Sequence, residues 1–335
     1  MGNRAVLAGD IGGTETTLAL YRQTGEILRE TTFKNYKFDS LQSVISTFLT
    51  GLDHPPVRAC FGIAGPVKAN RVRMTNLDWT IDGRELADHF SLEHLLLVND
   101  LVATTAGAVL LPADSLVTIN NGCPDPKGTI GVLAPGTGLG QSFAVKVNNR
   151  LQLFPSEGGH CSFAPRNQEQ IRLLEFMLEK RPHVSVEQVC SGMVIPDLYA
   201  FMTMHSPEPE WMAKRRMESD DQTPVIVQAA NEALAGGPAC EPAVRTVQLF
   251  VDILAAEAAN LALKVLATGA IYLGGGMPPR ILSFFDPERF MHIFCRGVYR
   301  EMLADIPVHI IRDPKAALIG ARELAVAEEP FRDKT

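Results

Sequence analysis

Paired cysteine motifs are missing from this 335-residue chain. Its six cysteines, at 60, 123, 161, 190, 240 and 295, show neither CxxC nor CxC spacing. That argues against a zinc knuckle or a disulfide framework and for free thiols. Long apolar runs are missing too. Nowhere do eighteen apolar residues follow one another, and the opening "MGNRAVLAGD" has no apolar core of signal-peptide length. Basic runs are limited to "AKRRM" (213–217), a solvated helix face, and the net charge is -7, a poor match to nucleic acid. There is no low-complexity tract, so disorder is expected only in the last residues, "EEPFRDKT". These absences point to a cytoplasmic protein that binds neither nucleic acid nor membrane. What is present is 46% apolar residues, enough for a sizeable core and, at this length, for two domains.

The patterning is α/β. Ala5–Ala8 reads as a buried strand, Thr16–Tyr21 as a second and "EILRETTF" as a third. Leu41, Val44, Ile45, Phe48 and Leu49 then form an apolar helical stripe. "VRACFGIAG" (57–65) and "HLLLVND" (94–100) read as strands, and "LVATTAGAVLL" as a helix. Asp82-x-x-Glu85 reads as a capping box. After about residue 112 the pattern restarts. "TIGVLAPGTGLGQSFAVKV" (129–147) is strand, glycine turn, strand, and a third strand, "RLQLFPSE", follows an Asn148-Asn149 turn. Helices are expected at roughly 167–180, 185–203 (with a capping box at Ser185-x-x-Gln188), 223–235 and 241–267. "AIYLGGG" (270–276) is a strand running into glycines, and a helix, the strand "VHIIR" and a last helix close the chain. The order strand, glycine turn, strand, strand, helix thus occurs twice, and two related halves suggest a cleft between them.

Glycine-rich turns let backbone N–H groups point together at an anion. "GDIGGT" (9–14) lacks the lysine of a Walker loop and leads into a strand, so it is not a dinucleotide fingerprint either. "GTGLG" (136–140) lies in the matching place of the second half, and Gly274-Gly275-Gly276 follow a third strand. An aspartate at position 10, beside a phosphate turn, would repel phosphate unless a divalent cation lies between them. Mg²⁺ is commonly held by one or two carboxylates with phosphate oxygens and water. Asp10 therefore implies Mg-nucleotide; the alternative is that it bonds amides of its own turn. Glu15 is a second acid here. By alternation it shares a face with Thr17 and Ala19, so its carboxylate is expected to point away from the phosphates.

Asn99 and Asp100 end a buried strand just before a helix, where open α/β sheets bind ligands. A carboxylate there can take a proton from a hydroxyl attacking phosphorus, help contributing roughly 10² to 10⁴ in rate, or it can cap the helix. Glu157 and His160 flank two glycines in "EGGH" and offer hydrogen bonds suited to polyol hydroxyls. A zinc site is the rival reading, although only Cys161 is close by. Glu187, expected in the first turn of its helix, could simply complement the helix dipole.

Taken together, "GDIGGT", "GIAGPV" (62–67), "MTNLDW" (74–79), "VNDLVA" (98–103), "GTGLG", "EGGH", "HVSVEQVCSG" (183–192) and "LGGGMPPR" (273–280) run in family order over nearly the whole chain. The sequence resembles the bacterial glucokinase family of the actin, hexokinase and heat-shock-chaperone ATPase superfamily. The resemblance implies a two-domain actin-like ATPase (ribonuclease H-like) fold. Its smaller domain would be residues 1–110 plus about 312–335, and its larger domain residues 111–311. It implies ATP-dependent phosphorylation of the glucose 6-hydroxyl, with Asp100 as base. Asn99, Gly138, Glu157, His160 and Glu187 would hold the sugar. Gly9, Asp10, Ile11, Gly12, Gly13, Thr14, Gly136 and Thr137 would lie at the phosphates, with Asp10 near Mg²⁺ through water. Gly274, Gly275 and Gly276 would lie by the adenosine. A cytoplasmic homodimer is implied, as is domain closure that excludes water. Zinc-containing sugar kinases and repressors carry a cysteine cluster after the EGGH-like motif; this sequence has none, so no structural zinc is expected. Where relatives commonly have lysine or asparagine after GGT, this chain has Glu15. That substitution keeps one rival open, a sugar sensor with impaired ATP binding; a kinase of another hexose is a second, because the same hydroxyl-binding residue types serve several hexoses.

Overall fold

The computed structural model describes residues 5–52, 55–74, 77–148 and 150–327. Thr75 and Asn76 of "MTNLDW", Asn149 of the expected turn, and the tail "EEPFRDKT" lie outside the described residues. The chain divides into two compact units. One holds the residues up to Ala113, Leu151–Pro155 and those from Asp313 onward; the other holds Asp114–Arg150 and Ser156–Arg312.

The first unit opens with β1 (Ala5–Ile11), β2 (Glu15–Arg22), β3 (Ile27–Lys34) and α1 (Leu41–Leu49). There follow β4 (Pro56–Ile63), β5 (Arg71–Arg73), β6 (Thr80–Asp82), α2 (Gly83–His89), β7 (His94–Asn99) and α3 (Asp100–Ala108). Ser40 caps α1 by accepting the Ser43 amide at 3.2 Å, and Asp82 caps α2 by accepting the amides of Arg84 and Glu85. The main sheet runs β3-β2-β1-β4-β7. β1, β2 and β3 are antiparallel neighbours, while β1, β4 and β7 are parallel. Leu7, Leu18, Leu20 and Phe61 face α1, packing with Val44, Ile45 and Phe48. Val6, Ala8, Ala19 and Cys60 pack on the other face with Val102 and Ala103 of α3. Helices on both faces explain why β1 reads as an unbroken apolar run rather than an alternating one.

The second unit holds β8 (Leu116–Asn120), β9 (Ile130–Pro135), β10 (Leu139–Val147), the two end residues of β11 (Arg150–Ser156), α4 (Gln168–Leu178), α5 (Ile195–Thr203) and α6 (Glu210–Met217). It continues with α7 (Gln222–Leu234), α8 (Glu241–Val265), β12 (Ala270–Leu273), α9 (Pro287–Phe294), α10 (Arg300–Ala304) and β13 (Val308–Ile311). Its sheet runs β11-β10-β9-β12-β13-β8. The first five positions repeat the first sheet, with β12 and β13 parallel to β9. The repeated order in the sequence is thus a repeated topology. Among the described residues α8 is the one helix long and apolar enough to cross a membrane, and it is mostly buried in this unit's core.

The expected helix over 185–203 is shorter. Residues 185–191 form a turn, and α5 begins at Ile195 after a short 3-10 segment. Gln188 does reach back to the Ser185 amide at 3.0 Å, but Ser185 also bridges to Ser162, so the bond closes a loop instead of opening a helix. Finally α11 (Ala316–Val326) returns the chain to the first unit. There Ala317, Leu318, Ala321 and Leu324 join α3 against Val6, Ala8 and Cys60.

Candidate active site

In the first unit the carboxyl ends of three parallel strands form one edge. Ile11, Ile63 and Asn99 occupy one row across β1, β4 and β7, and Asp10 lies one residue back, opposite Gly62. At roughly 4.8 Å per strand, β1 and β7 are about 10 Å apart. Burial alone raises the Asp10 carboxyl from 3.8 to about 6. A buried acid that resists ionisation favours a cation beside it, which fits Mg²⁺ held mostly by phosphate oxygens and water. Gly9 and Ile11 belong to the core: a Cβ on Gly9 would stand 2.7 Å from Phe61, and Ile11 is fully buried. Only their backbones could face a ligand.

The turn between β1 and β2 is closed by the Gly12 amide, which donates to the Glu15 carbonyl at 2.9 Å. One amide of the expected phosphate cradle is therefore spent inside the turn. Asn35, just past β3 and 1% exposed, clamps both ends of it. Its amide donates to the Thr14 carbonyl and its Nδ2 to the Gly12 carbonyl, each at 2.9 Å, while its Oδ1 accepts from Thr16 Oγ1 at 2.8 Å. Sequence reasoning missed Asn35, because its partners lie 19 to 23 residues away. Glu15 stands opposite Lys34 in the β2–β3 register, and the two side chains form an ion pair.

Asn99 and Asp100 both meet the start of α3. The expected strand ends at Asn99, and Asp100 is already the first residue of α3. Asn99 is the cap: its Oδ1 accepts the Leu101 amide at 2.9 Å, and its Nδ2 donates to the Gly65 carbonyl at 3.2 Å. The Asp100 carboxylate accepts the same Leu101 amide at 2.9 Å. "GIAGPV" holds this edge together, since the Ala64 amide donates to the Ile11 carbonyl at 3.1 Å.

In the second unit the structure gathers Gly138, Glu157, His160 and Glu187. The Glu187 Oε2 accepts the Leu139 amide at 2.8 Å, and a Cβ on Gly138 would stand 2.4 Å from that oxygen. Only glycine leaves room for the carboxylate. Glu187 therefore lies in a loop, and the helix-dipole alternative does not apply. "EGGH" is a 3-10 turn docked on this loop through the Glu187 amide, which donates to the Gly159 carbonyl at 2.9 Å. The His160 ring nitrogens lie 3.8 Å from Glu157 Oε2 and 3.8 Å from Glu187 Oε1. These spacings exceed hydrogen-bond reach, so the three groups are assembled without being consumed by one another. Among the described residues no cluster of three or more His, Cys, Asp or Glu is placed to hold a metal ion.

The other two glycine turns lie side by side. The Gly274 amide donates to the Leu133 carbonyl at 2.7 Å and the Met277 amide to the Pro135 carbonyl at 3.0 Å. The amides of Gly192 and Met193 bond the carbonyls of Gly136 and Thr137. Beyond the triple glycine opens a cavity of about 480 Å³ lined by Thr223, Pro224, Val227, Gln228, Met277 and Arg280. Thr223 Oγ1 also donates to the Gly192 carbonyl at 2.9 Å, tying the cavity wall to the Gly136 turn. The sequence did not reveal that α7 forms this wall.

A family model described as Glucokinase matches residues 7–328. A glucokinase of Nostoc sp. is 38% identical over 334 residues, covering 94% of this chain and 97% of the relative. The crystal structure of a glucokinase from an Antarctic psychrotroph is 32% identical with a TM-score of 0.82, covering 97% of this chain and 99% of that one. The glucokinase of Balamuthia mandrillaris in complex with glucose shares the fold, with a TM-score of 0.80 at 22% identity over 97% of this chain and 94% of its own.

Proposed function

The chain belongs to the glucokinase family, and from that premise we propose that it transfers the γ-phosphoryl group of ATP to the 6-hydroxyl of D-glucose. The observation that carries the reading is the gathering of Gly138, Glu157, His160 and Glu187 around one loop. Several donors and acceptors on close-approach backbone suit a polyol better than a metal or an acyl group. In this reading Glu157, His160 and Glu187 hold sugar hydroxyls, and Asn99 orients the entry to α3. Asp100 accepts the proton of the 6-hydroxyl as it attacks, a contribution of roughly 10² to 10⁴ in rate. The amides of Gly13, Thr14 and Thr137 face phosphate oxygens. The cavity beside Gly274–Gly276 takes the nucleoside; its volume lies within the range of small-molecule sites. Mg²⁺, held by Asp10 through water, would neutralise charge on the transferring phosphoryl group.

The Lys34 partner of Glu15 supports turnover over a sugar sensor, because the acid's charge is compensated at the turn. The reading includes a cytoplasmic homodimer, as the family resemblance implies; light scattering of the purified protein checks the dimer. The deciding experiment is a coupled assay with Mg-ATP and a panel of hexoses at equal concentration. Glucose should give the highest kcat/KM, and Asp100→Asn should lose at least two orders of magnitude in kcat. Near wild-type turnover in Asp100→Asn would remove Asp100 as the base.

A further inference from the structure

Glu257 is a carboxylate in the middle of α8, 2% exposed and surrounded along its helix by Ala256, Ala258 and Ala259. A polar group in such a place is costly to bury unless it is well hydrogen-bonded. Phosphoryl transfer has no use for it. Its Oε1 accepts from Gln141 Nε2 at 2.9 Å and its Oε2 from Asn260 Nδ2 at 2.7 Å. Glu257 thus accepts at both oxygens. It therefore draws both amide nitrogens toward itself and turns both amide oxygens away. The Asn260 oxygen accepts from Arg296 Nη2. The Gln141 oxygen is turned toward "EGGH": a Cβ on Gly158 would stand 2.2 Å from it.

Gln141, 3% exposed, sits two residues along β10 from Leu139. The loop of Glu157 and His160 rests on both, since a Cβ on Gly159 would stand 2.1 Å from the Leu139 carbonyl oxygen. Leu139 also donates its amide to Glu187. One short piece of β10 is thus a floor under all three sugar-facing side chains, and Glu257 fixes one of its two supports from beneath.

We infer that Glu257 and Gln141 are positioning residues for the "EGGH" loop, setting where Glu157 and His160 meet the hexose and so which hexose is accepted. This rests on the sugar-binding reading proposed above. The test is the double variant Gln141→Leu/Glu257→Leu, which removes both polar partners and refills the space with apolar atoms. Exchanging buried polar partners for hydrophobic ones of similar volume is commonly neutral or stabilising, and half-buried Asn260 can turn to water. The double variant should melt no lower than wild type, and its KM for Mg-ATP should be unchanged. Its KM for glucose should rise by about tenfold or more, since misplacement on the 1 Å scale costs up to about 10²-fold. Preference for glucose over mannose and glucosamine should shrink. A merely structural role gives the opposite pattern, lower stability with unchanged sugar preference. Glu257→Gln is the second variant should the double variant not fold; it keeps the size, lets the Gln141 amide turn over, and should raise the glucose KM alone. Either variant, folded and with wild-type glucose KM and hexose ranking, overturns the inference. A wild-type protein that binds no hexose in calorimetry overturns the reading beneath it, before any substitution is made.

Discussion

Replacing Asp10 by asparagine should make the ligand-free protein more stable while ending its use of Mg-ATP. Burial raises the folded-state carboxyl from 3.8 to about 6, and each unit is worth about 1.36 kcal/mol. Ionising Asp10 in the folded chain thus costs up to about 3 kcal/mol, and about 2 kcal/mol once the solvent contact it retains is allowed for. The folded state holds this proton more tightly than the unfolded state, so stability falls as pH rises from about 4 to about 6 and stays lower above that. Asparagine has nearly the same shape and no charge to bury. In urea unfolding without nucleotide or metal, Asp10→Asn and wild type should match near pH 4. At pH 7.5 the variant should be the more stable by about 2 kcal/mol. Calorimetry at pH 7.5 should show Mg-ATP binding lost and glucose binding kept. A variant no more stable than wild type at pH 7.5 would refute the argument, because it would mean that the protein already compensates the Asp10 charge.

Two other substitutions probe the glycine turns. Lys34→Ala uncovers the Glu15 charge and should raise the KM for Mg-ATP, more so at low salt; adding Glu15→Gln should restore it, and an additive pair would disprove compensation. Gly138→Ala places a methyl group 2.4 Å from the Glu187 carboxylate, so calorimetry should show glucose binding weakened or lost while Mg-ATP binding persists.

Most elements were legible because their signals are local. The alternation of Leu18 and Leu20 and the stripe from Leu41 to Leu49 reappear as β2 and α1. The Ser185-x-x-Gln188 pattern misled because half a capping box is chemically the same bond whether a helix or a bridged loop follows. The sequence offered Asp100 alone as the cap of α3; the strand ends one residue earlier, so Asn99 takes the capping position while both side chains reach the Leu101 amide. The residue types proposed to hold the sugar stood out in the sequence, but their assembly depends on Glu187 crossing 48 positions to the Leu139 amide. Asn35 and Glu257 were invisible for a related reason. One sits in an unremarkable polar stretch and the other inside an alanine-rich helix, and only contacts far along the chain give them meaning.

The return of α11 to the first unit sets the order in which the protein can be finished on the ribosome. Strands β1 and β4 emerge early, yet the apolar face formed by Val6, Ala8 and Cys60 is not fully covered until Ala317, Leu318 and Ala321 have been made. At about 5–20 residues per second, the stretch from Ala113 to Asp313 imposes a wait of roughly 10–40 s. Most of the second unit is continuous from Ser156 to Arg312 and can condense during that interval. The part of the chain synthesised first is therefore completed last, and its open sheet face is the surface that a chaperone would have to guard in the meantime.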